Sequence, residues 1–498
     1  MTATVIEAAP GKEPAPAVEP FPKRWLALAV LALAQLMVVL DATVVNIALP
    51  QAQAELGITD ANRQWVLTAY TLAFGGLLLL GGRIADYWGR RRAFVLGAIG
   101  FAVASAIGGL AQSGEMLFAA RALQGVFGAL LAPAGLALLT GLFTEAKERA
   151  KAFAVYGAIA GGGAAIGLVL GGVLTQYADW RWCLLVNIPI ALIAVFAALA
   201  VVPESRAHGD TKYDVPGAVT ATLGLVSLVY GFTQAADKGW SDSATLSFIA
   251  GGLVLLAAFV IIELRSRNPL LPMRIILDRN RGGAYLFSMM VGIGLMGAFL
   301  FLALYFQIVL QYTPLESGLA MLPVTAGVFI AAGLATQLAV KFGPKPLMVA
   351  GGLIAASGML YLTQIGLDTA FVTHVLPAEL LLGLGLGFSF VPLSSLALVG
   401  VPEHDAGAAS ATLNATQQIG GSLGVALLST IATTAVTSWS AKQAVQGPMI
   451  QFQALVHSYQ VVFAWGAGFL ALGAVIAAFI IKATKDDLPT DVAAVHMG

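Results

Sequence analysis

Charge is scarce in this sequence. Only 10% of its 498 residues are Asp, Glu, Lys or Arg, against about 25% in an ordinary soluble domain. A soluble protein of this size needs far more charge to cover its surface, so a large soluble enzyme is excluded. The 26 basic and 26 acidic residues cancel, which leaves no basic field for a nucleic acid. Cysteine is reduced to Cys183; neither a disulfide framework within the chain nor a Cys-rich metal site can be built. The five histidines, His208, His374, His404, His457 and His496, are expected in loops, tails or helix ends, so no metal site is expected. No GxxxxGK[ST] string is present to cradle ATP phosphates. The strand-like alternation of a membrane barrel is also missing.

What is abundant is apolar sequence, 58% of the chain. A spanning helix needs about 20 mostly apolar residues. Fourteen such runs are present, the first at 25–49 and the last at 458–482. Lipid offers no partner to an open backbone, so the runs are expected as helices. Placing the N-terminus in the cytoplasm and alternating the runs puts 21 of the Lys and Arg residues inside and four outside, Arg63, Arg181, Lys238 and Lys442. That bias is the positive-inside pattern and predicts fourteen spans with both termini cytoplasmic. Residues 1–22, rich in Pro, Ala and Glu, read as a disordered tail without the basic start of a cleaved signal.

The body is duplicated. Pro133 and Pro392 sit in related strings, "APAGLALL" and "VPLSSLAL", at an offset of 259; Gly162–Gly163 and Gly420–Gly421 are offset by 258. Two halves of six helices plus a two-helix insert give this spacing. The organisation predicted is a tail at 1–22, a bundle at 23–205, a linker with two inserted helices at 206–268, a second bundle at 269–484 and a tail at 485–498. Parallel repeats of this kind are the plan of many secondary transporters, with the substrate site near the midplane.

Four strings carry a family resemblance: "LDATVVNIALP" at 40–50, "GRIADYWGRRR" at 82–92, "LFAARALQGVFGA" at 117–129 and the glycine run over 157–172. In that order they resemble the signature motifs of the major facilitator superfamily. With fourteen spans, they resemble its 14-helix drug:proton antiporter family of multidrug efflux transporters. "YDVPGAVTATLGLVSLVYGF", "NPLLP" and "NATQQIGGSLG" are similar to that family's later segments. The resemblance implies an all-α polytopic fold with two six-helix bundles and a two-helix insert. It also implies no cofactor, a proton gradient as energy source, a lipophilic or cationic small-molecule cargo, a role in antibiotic resistance, and a single chain at work in the cell membrane. One departure stands out: where that family's antiporter motif places prolines after two glycines, this chain has Ala164 and Leu168.

Asp41 lies within a span, where an acid is costly and marks a functional site. At about 1.5 Å per residue it stands about 24 Å from the start of helix 1, close to the depth of Arg121 on helix 4. It is expected to carry the proton, or else to be a fixed ion pair. The resemblance implies that Arg121 tunes a nearby acid. Glu379, offset by 258 from Arg121, is the repeat-related position. It is expected to be a second proton site or a contact for a cationic cargo, or else an acid reaching to the headgroups. The resemblance implies that Gly82, Asp86, Gly89, Arg90 and Arg91 form a latch that stabilises the outward-open state and breaks when the transporter turns inward, or else the arginines are ordinary positive-inside anchors. Gly157, Gly161, Gly163, Gly167 and Gly171 are read as helix-packing positions. Gln124, on the face of Arg121, is taken with Gln35, Tyr305, Gln307, Asn414, Gln417 and Gln418 as candidate lining of a cargo pocket.

Other cargo and activity classes compete with drug export. An exporter of an endogenous metabolite, lipid or siderophore would keep the same fold. A membrane-embedded enzyme would need a convergent catalytic set, and no histidine is expected inside the bundles. No enzyme activity is expected.

Overall fold

The computed structural model describes residues 21–60, 62–143, 145–206, 214–266, 269–271, 273–399, 401, 406–443 and 447–485. The tails beyond them, and His208, His404 and His496, lie outside the described residues. Among the described residues every extended element is a helix. We number fourteen: α1 Arg24–Leu56, α2 Trp65–Trp88, α3 Arg90–Gly109, α4 Gly114–Leu142, α5 Ala146–Tyr177 and α6 Trp182–Val201; then α7 Val215–Lys238 and α8 Ser243–Arg265; then α9 Arg279–Val309, α10 Pro314–Phe342, α11 Pro344–Leu362, α12 Phe371–Ala397, α13 Ala406–Ser440 and α14 Pro448–Ile480. Thirteen are long and apolar enough to cross a membrane; in α5 the apolar stretch is the shorter Gly162–Tyr177.

Local sequence sets where these helices begin. Ser113 caps α4, Asp214 caps α7, Asp242 caps α8 and Asp278 caps α9, each accepting from backbone N–H groups of the first turn. Thr313 and Glu316 form a reciprocal capping box at the start of α10. α14 starts at Pro448, ahead of the apolar run. His457 therefore lies inside a helix, its ring tilted against Trp439 with centroids 6.2 Å apart, a correction to its expected place at a helix end. α5 contains no proline and runs unbroken from Ala146 to Tyr177.

The same set of pairings occurs twice. In the first bundle α2 packs on α4, α3 on α4, α1 on α5, and α6 on α1 and α3. In the second, α10 packs on α12, α11 on α12, α9 on α13, and α14 on α9 and α11. Glycine serves the α1–α5 contact: Gly163 faces Leu36 and Val39, Gly167 faces Thr43, and Gly171 faces Val44. Its counterpart α9–α13 uses Gly420 against Met289 and Gly424 against Ile293. Gly157 and Gly161 are on α5 but outside the residues whose packing is described.

The bundles meet along α2–α13 and α5–α10. The α5–α10 contacts gather at the end remote from the chain termini. There Gly172 lies against Leu315, Gly318 against Leu168, and Gln176 accepts from the Leu315 N–H at 3.2 Å. Toward the terminal end the same pair loosens, with Gly162 barely reaching Phe329. The inserted hairpin covers the other seam: α7 packs on both α2 and α13. α8 lies outside α7 and is mostly exposed.

Candidate functional site

Asp41, Arg121, Gln124 and Asn187 are each fully buried, and they meet. Arg121 Nη1 donates to Asp41 Oδ2. Gln124 Nε2 and Asn187 Nδ2 each donate to Asp41 Oδ1 at 2.8 Å. Ser105 Oγ accepts from the same two amides, at 2.7 Å and 3.3 Å. Arg121 Nε donates to the Val66 carbonyl at 2.9 Å, and Nη1 also reaches Gln124 Oε1 at 2.8 Å. The guanidinium lies 4.5 Å from the Tyr70 ring centroid, a cation–π contact. Five helices, α1, α2, α3, α4 and α6, therefore contribute to one polar knot inside the first bundle.

Gly125 makes that knot possible. A Cβ there would strike the Tyr70 carbonyl oxygen, so only glycine lets α4 settle against α2 with Arg121 in reach of Val66. An isolated charge buried this deeply is strongly disfavoured unless paired and hydrogen-bonded. Three side-chain donors on Asp41 meet that condition. Arg121 Nη2 is left without an acceptor among the described residues.

Glu379 is placed differently. It lies on α12, the repeat counterpart of α4, with no solvent exposure, so it does not reach to the headgroups. Neither carboxylate oxygen has a hydrogen-bond partner among the described residues.

The loop between α2 and α3 folds on its own bundle. Gly89 adopts φ +129°, a conformation that side chains rarely adopt. Arg90 binds Asp86 at 2.8 Å and the Ala137 carbonyl at 3.3 Å. Arg91 donates its backbone N–H to Glu204 at 3.1 Å and its guanidinium to the Val202 carbonyl at 3.2 Å. The hydrogen bonds and ion pairs of Asp86, Arg90 and Arg91 among the described residues all stay within the first bundle. Gly82 faces Pro133 of α4. Arg83 reaches beyond the bundle, donating to the Pro269 carbonyl at 3.0 Å.

The polar side chains expected to line one pocket are dispersed. Gln124 belongs to the Asp41 knot. Tyr305 is buried and donates to the Gly366 carbonyl at 2.8 Å. Gln307, in a π-helical turn over Tyr305–Val309, donates to the Ile47 carbonyl at 3.0 Å and ties the bundles at the remote end. Gln35 accepts from the Tyr156 hydroxyl at 2.8 Å. Asn414 is exposed and bonds the Ser410 carbonyl. Gln418 packs against Gly75 across the α2–α13 seam, and the Gln417 carbonyl lies against Gly292 of α9.

Sequence reading missed Asn187, Ser105 and Glu204. Asn187 had a visible signal, one amide in the apolar run of 182–202; Ser105 and Glu204 had none that set them apart.

Two matched helical bundles, one of them holding a buried ion pair, with the ends of one seam unequally closed, fit the class of secondary transporters. Comparison with known proteins agrees. The family description "Major Facilitator Superfamily" matches residues 31–425. The puromycin resistance protein of Streptomyces alboniger is 48% identical, over 94% of this chain and 93% of its own. The cephamycin export protein of Amycolatopsis lactamdurans is 40% identical over 81% and 84% of the two chains, and the multidrug efflux pump of Mycolicibacterium smegmatis is 35% identical over 86% and 84%. Among solved structures, a bacterial homologue of the human lysosomal transporter Spinster superposes with a TM-score of 0.66 at 16% identity, covering 94% of this chain and 99% of its own. The chain belongs to the Major Facilitator Superfamily and is a multi-pass membrane transporter.

Proposed function

We propose that this chain exports amphipathic, drug-like small molecules from the cell in exchange for protons. Relatives named for antibiotic resistance and export support the cargo class. The observation that carries the coupling is the buried knot on Asp41. A carboxylate held by three donors, beside an arginine with a nitrogen to spare, takes a proton only if its partners rearrange. A ligand that favours one arrangement therefore biases the whole carrier.

In this reading the bundles 23–205 and 269–484 rock about the midplane, the linker 206–268 carries the inserted pair, and both termini face the cytoplasm. The remote end is then the outer face, closed by the α5–α10 contacts and by Gln307. Cargo enters the cleft from the terminal side past Gln35, Asn414, Gln417 and Gln418. Protonation of Asp41 from outside and release inside resets the carrier. Asp86, Arg90 and Arg91 leave their own bundle to latch the second when the terminal end closes. Glu379 serves as a second acidic site, suited to cationic cargo. No cofactor is needed, and one chain suffices.

The test is reconstitution in liposomes with an imposed pH gradient, offering puromycin and ethidium. Native protein accumulates cargo against its gradient. Asp41→Asn, which keeps the size and most of the hydrogen bonds, loses at least 100-fold of the uphill transport while staying folded. Equal accumulation by Asp41→Asn overturns the coupling role.

A further inference from the structure

Outside the Asp41 knot, two more acids are buried where α7 begins and α8 ends, at the base of the inserted hairpin on the terminal side. Asp214 is 7% exposed and Glu263 3%. Each carboxylate is half used. Asp214 Oδ1 accepts from the Gly217 N–H at 2.8 Å, and Glu263 Oε2 accepts from the Leu271 N–H at 3.0 Å. The other oxygen of each, Asp214 Oδ2 and Glu263 Oε1, is buried with no hydrogen-bond partner among the described residues.

The two carboxylates converge on one glycine. A Cβ on Gly217 would stand 2.6 Å from Glu263 Oε1 and 3.1 Å from Asp214 Oδ1, so the absence of a side chain is what lets the acids approach. Positive charge does not offset them. Among the described residues the charged groups acting on Glu263 are Asp214 and Arg83 of α2. Arg83 is already engaged, donating to the Pro269 carbonyl at 3.0 Å and to the Tyr87 hydroxyl at 3.2 Å. Two desolvated carboxylates that share a site do not both stay ionised.

We infer that Asp214 and Glu263 form a proton-binding site that holds a single shared proton. That proton turns one oxygen from an acceptor without a donor into a donor toward the other acid, which satisfies both at once. It comes from the terminal side and returns there, and only an O–H bond is made or broken. The site gathers several parts of the chain: α7 through its cap, α8 through Glu263, and the linker through Leu271, with α2 alongside through Arg83 on Pro269. Loss of the proton sets two carboxylates against each other and loosens the base of the hairpin. The site therefore stabilises the fold less as the pH rises. It is separate from the coupling role proposed for Asp41 and does not depend on it.

The test uses full-length protein in lipid nanodiscs. Glu263→Gln keeps an acceptor for the Leu271 N–H and sets an N–H where the proton stood. Asp214→Asn does the same from the other acid and still caps α7, since asparagine caps a helix as well as aspartate does. Infrared spectra at neutral pH are compared between native protein and each variant. One protonated-carboxyl C=O band is expected, and it is lost in both variants because the proton is common to the two acids. Between about pH 6 and about pH 9 the melting temperature of native protein is expected to fall by about 3 °C more than that of Glu263→Gln. No band lost in either variant overturns the site, and a band lost in one variant only overturns the sharing. Parallel melting profiles overturn its contribution to the fold. Should Glu263→Gln fail to fold, the band and the melting profile of Asp214→Asn decide.

Discussion

Two fully buried acids of this transporter, Asp41 and Glu379, occupy related halves but opposite surroundings. Asp41 of the first bundle has an arginine and two amides on its oxygens. Glu379, at the repeat position of Arg121, has nothing on either oxygen among the described residues. Duplication copied the scaffold and not the site. The difference separates two uses of a buried acid. Removing one member of a paired set leaves charges and donors stranded, whereas an unpartnered acid holds nothing in place.

The contrast is sharpest under removal. Asp41→Leu strands Arg121, Gln124 and Asn187 and should cost about 3–5 kcal/mol, read as a large fall in melting temperature. Glu379→Leu strands nothing. It should leave stability equal or raised by about 1–3 kcal/mol, since an unsatisfied buried group is lost. It should also weaken transport of ethidium more than that of a neutral cargo. A fall in melting as large as that of Asp41→Leu would erase the contrast and show that Glu379 has a partner.

A smaller effect probes one strand of the knot. Asn187→Ala removes one donor to the carboxylate and should cost about 1.5–3 kcal/mol, the range for hydrogen bonds to charged groups. Uphill transport should fall in parallel; an unchanged melting curve would mean that Gln124 and Arg121 hold the carboxylate alone.

The smallest effect lies at the membrane edge. Arg24 and Glu148 pair at 2.7 Å and tie the start of α5 to α1. The hydrogen bond from Arg24 holds the Glu148 carboxyl below its usual value of 4.5. A lowered folded value means that the stabilisation is fully present above 4.5. It disappears as the pH falls below that, through the folded value. Native protein should therefore lose slightly more melting temperature on acidification than Glu148→Gln, which has no such charge to lose. Parallel acid profiles would show that the part-buried pair contributes nothing, as many pairs near a surface do.

Much of this arrangement was legible in the sequence. Helix length and apolarity marked the spans, because lipid leaves the backbone no alternative. The similar depths of Asp41 and Arg121 followed from counting residues along helices. What counting cannot supply is the angle at which separate helices face one another. Asn187 was readable as an oddity in an apolar run but not as a partner of Asp41. Tyr305 and Gln307 were readable as polar groups in a span, yet both bond to backbone carbonyls. The chain turns irregular just there, with the π-helical turn and Gln311 at φ 55°. Glu204 was hidden for another reason: its partners Arg91 and Arg92 lie at the start of α3, more than a hundred residues away.

The inserted pair adds a mechanical asymmetry. Gln64 donates to Thr233 at 3.1 Å and Thr222 to the Gly76 carbonyl at 3.3 Å, both fastening α7 to the first bundle. Thr430 donates to the Phe232 carbonyl at 2.8 Å from the second. Because α7 is tied to both bundles, a rocking cycle of the kind proposed requires it to slip against one of them. One seam is thus shuttered by the chain's own hairpin, while the α5–α10 seam carries no such cover among the described residues.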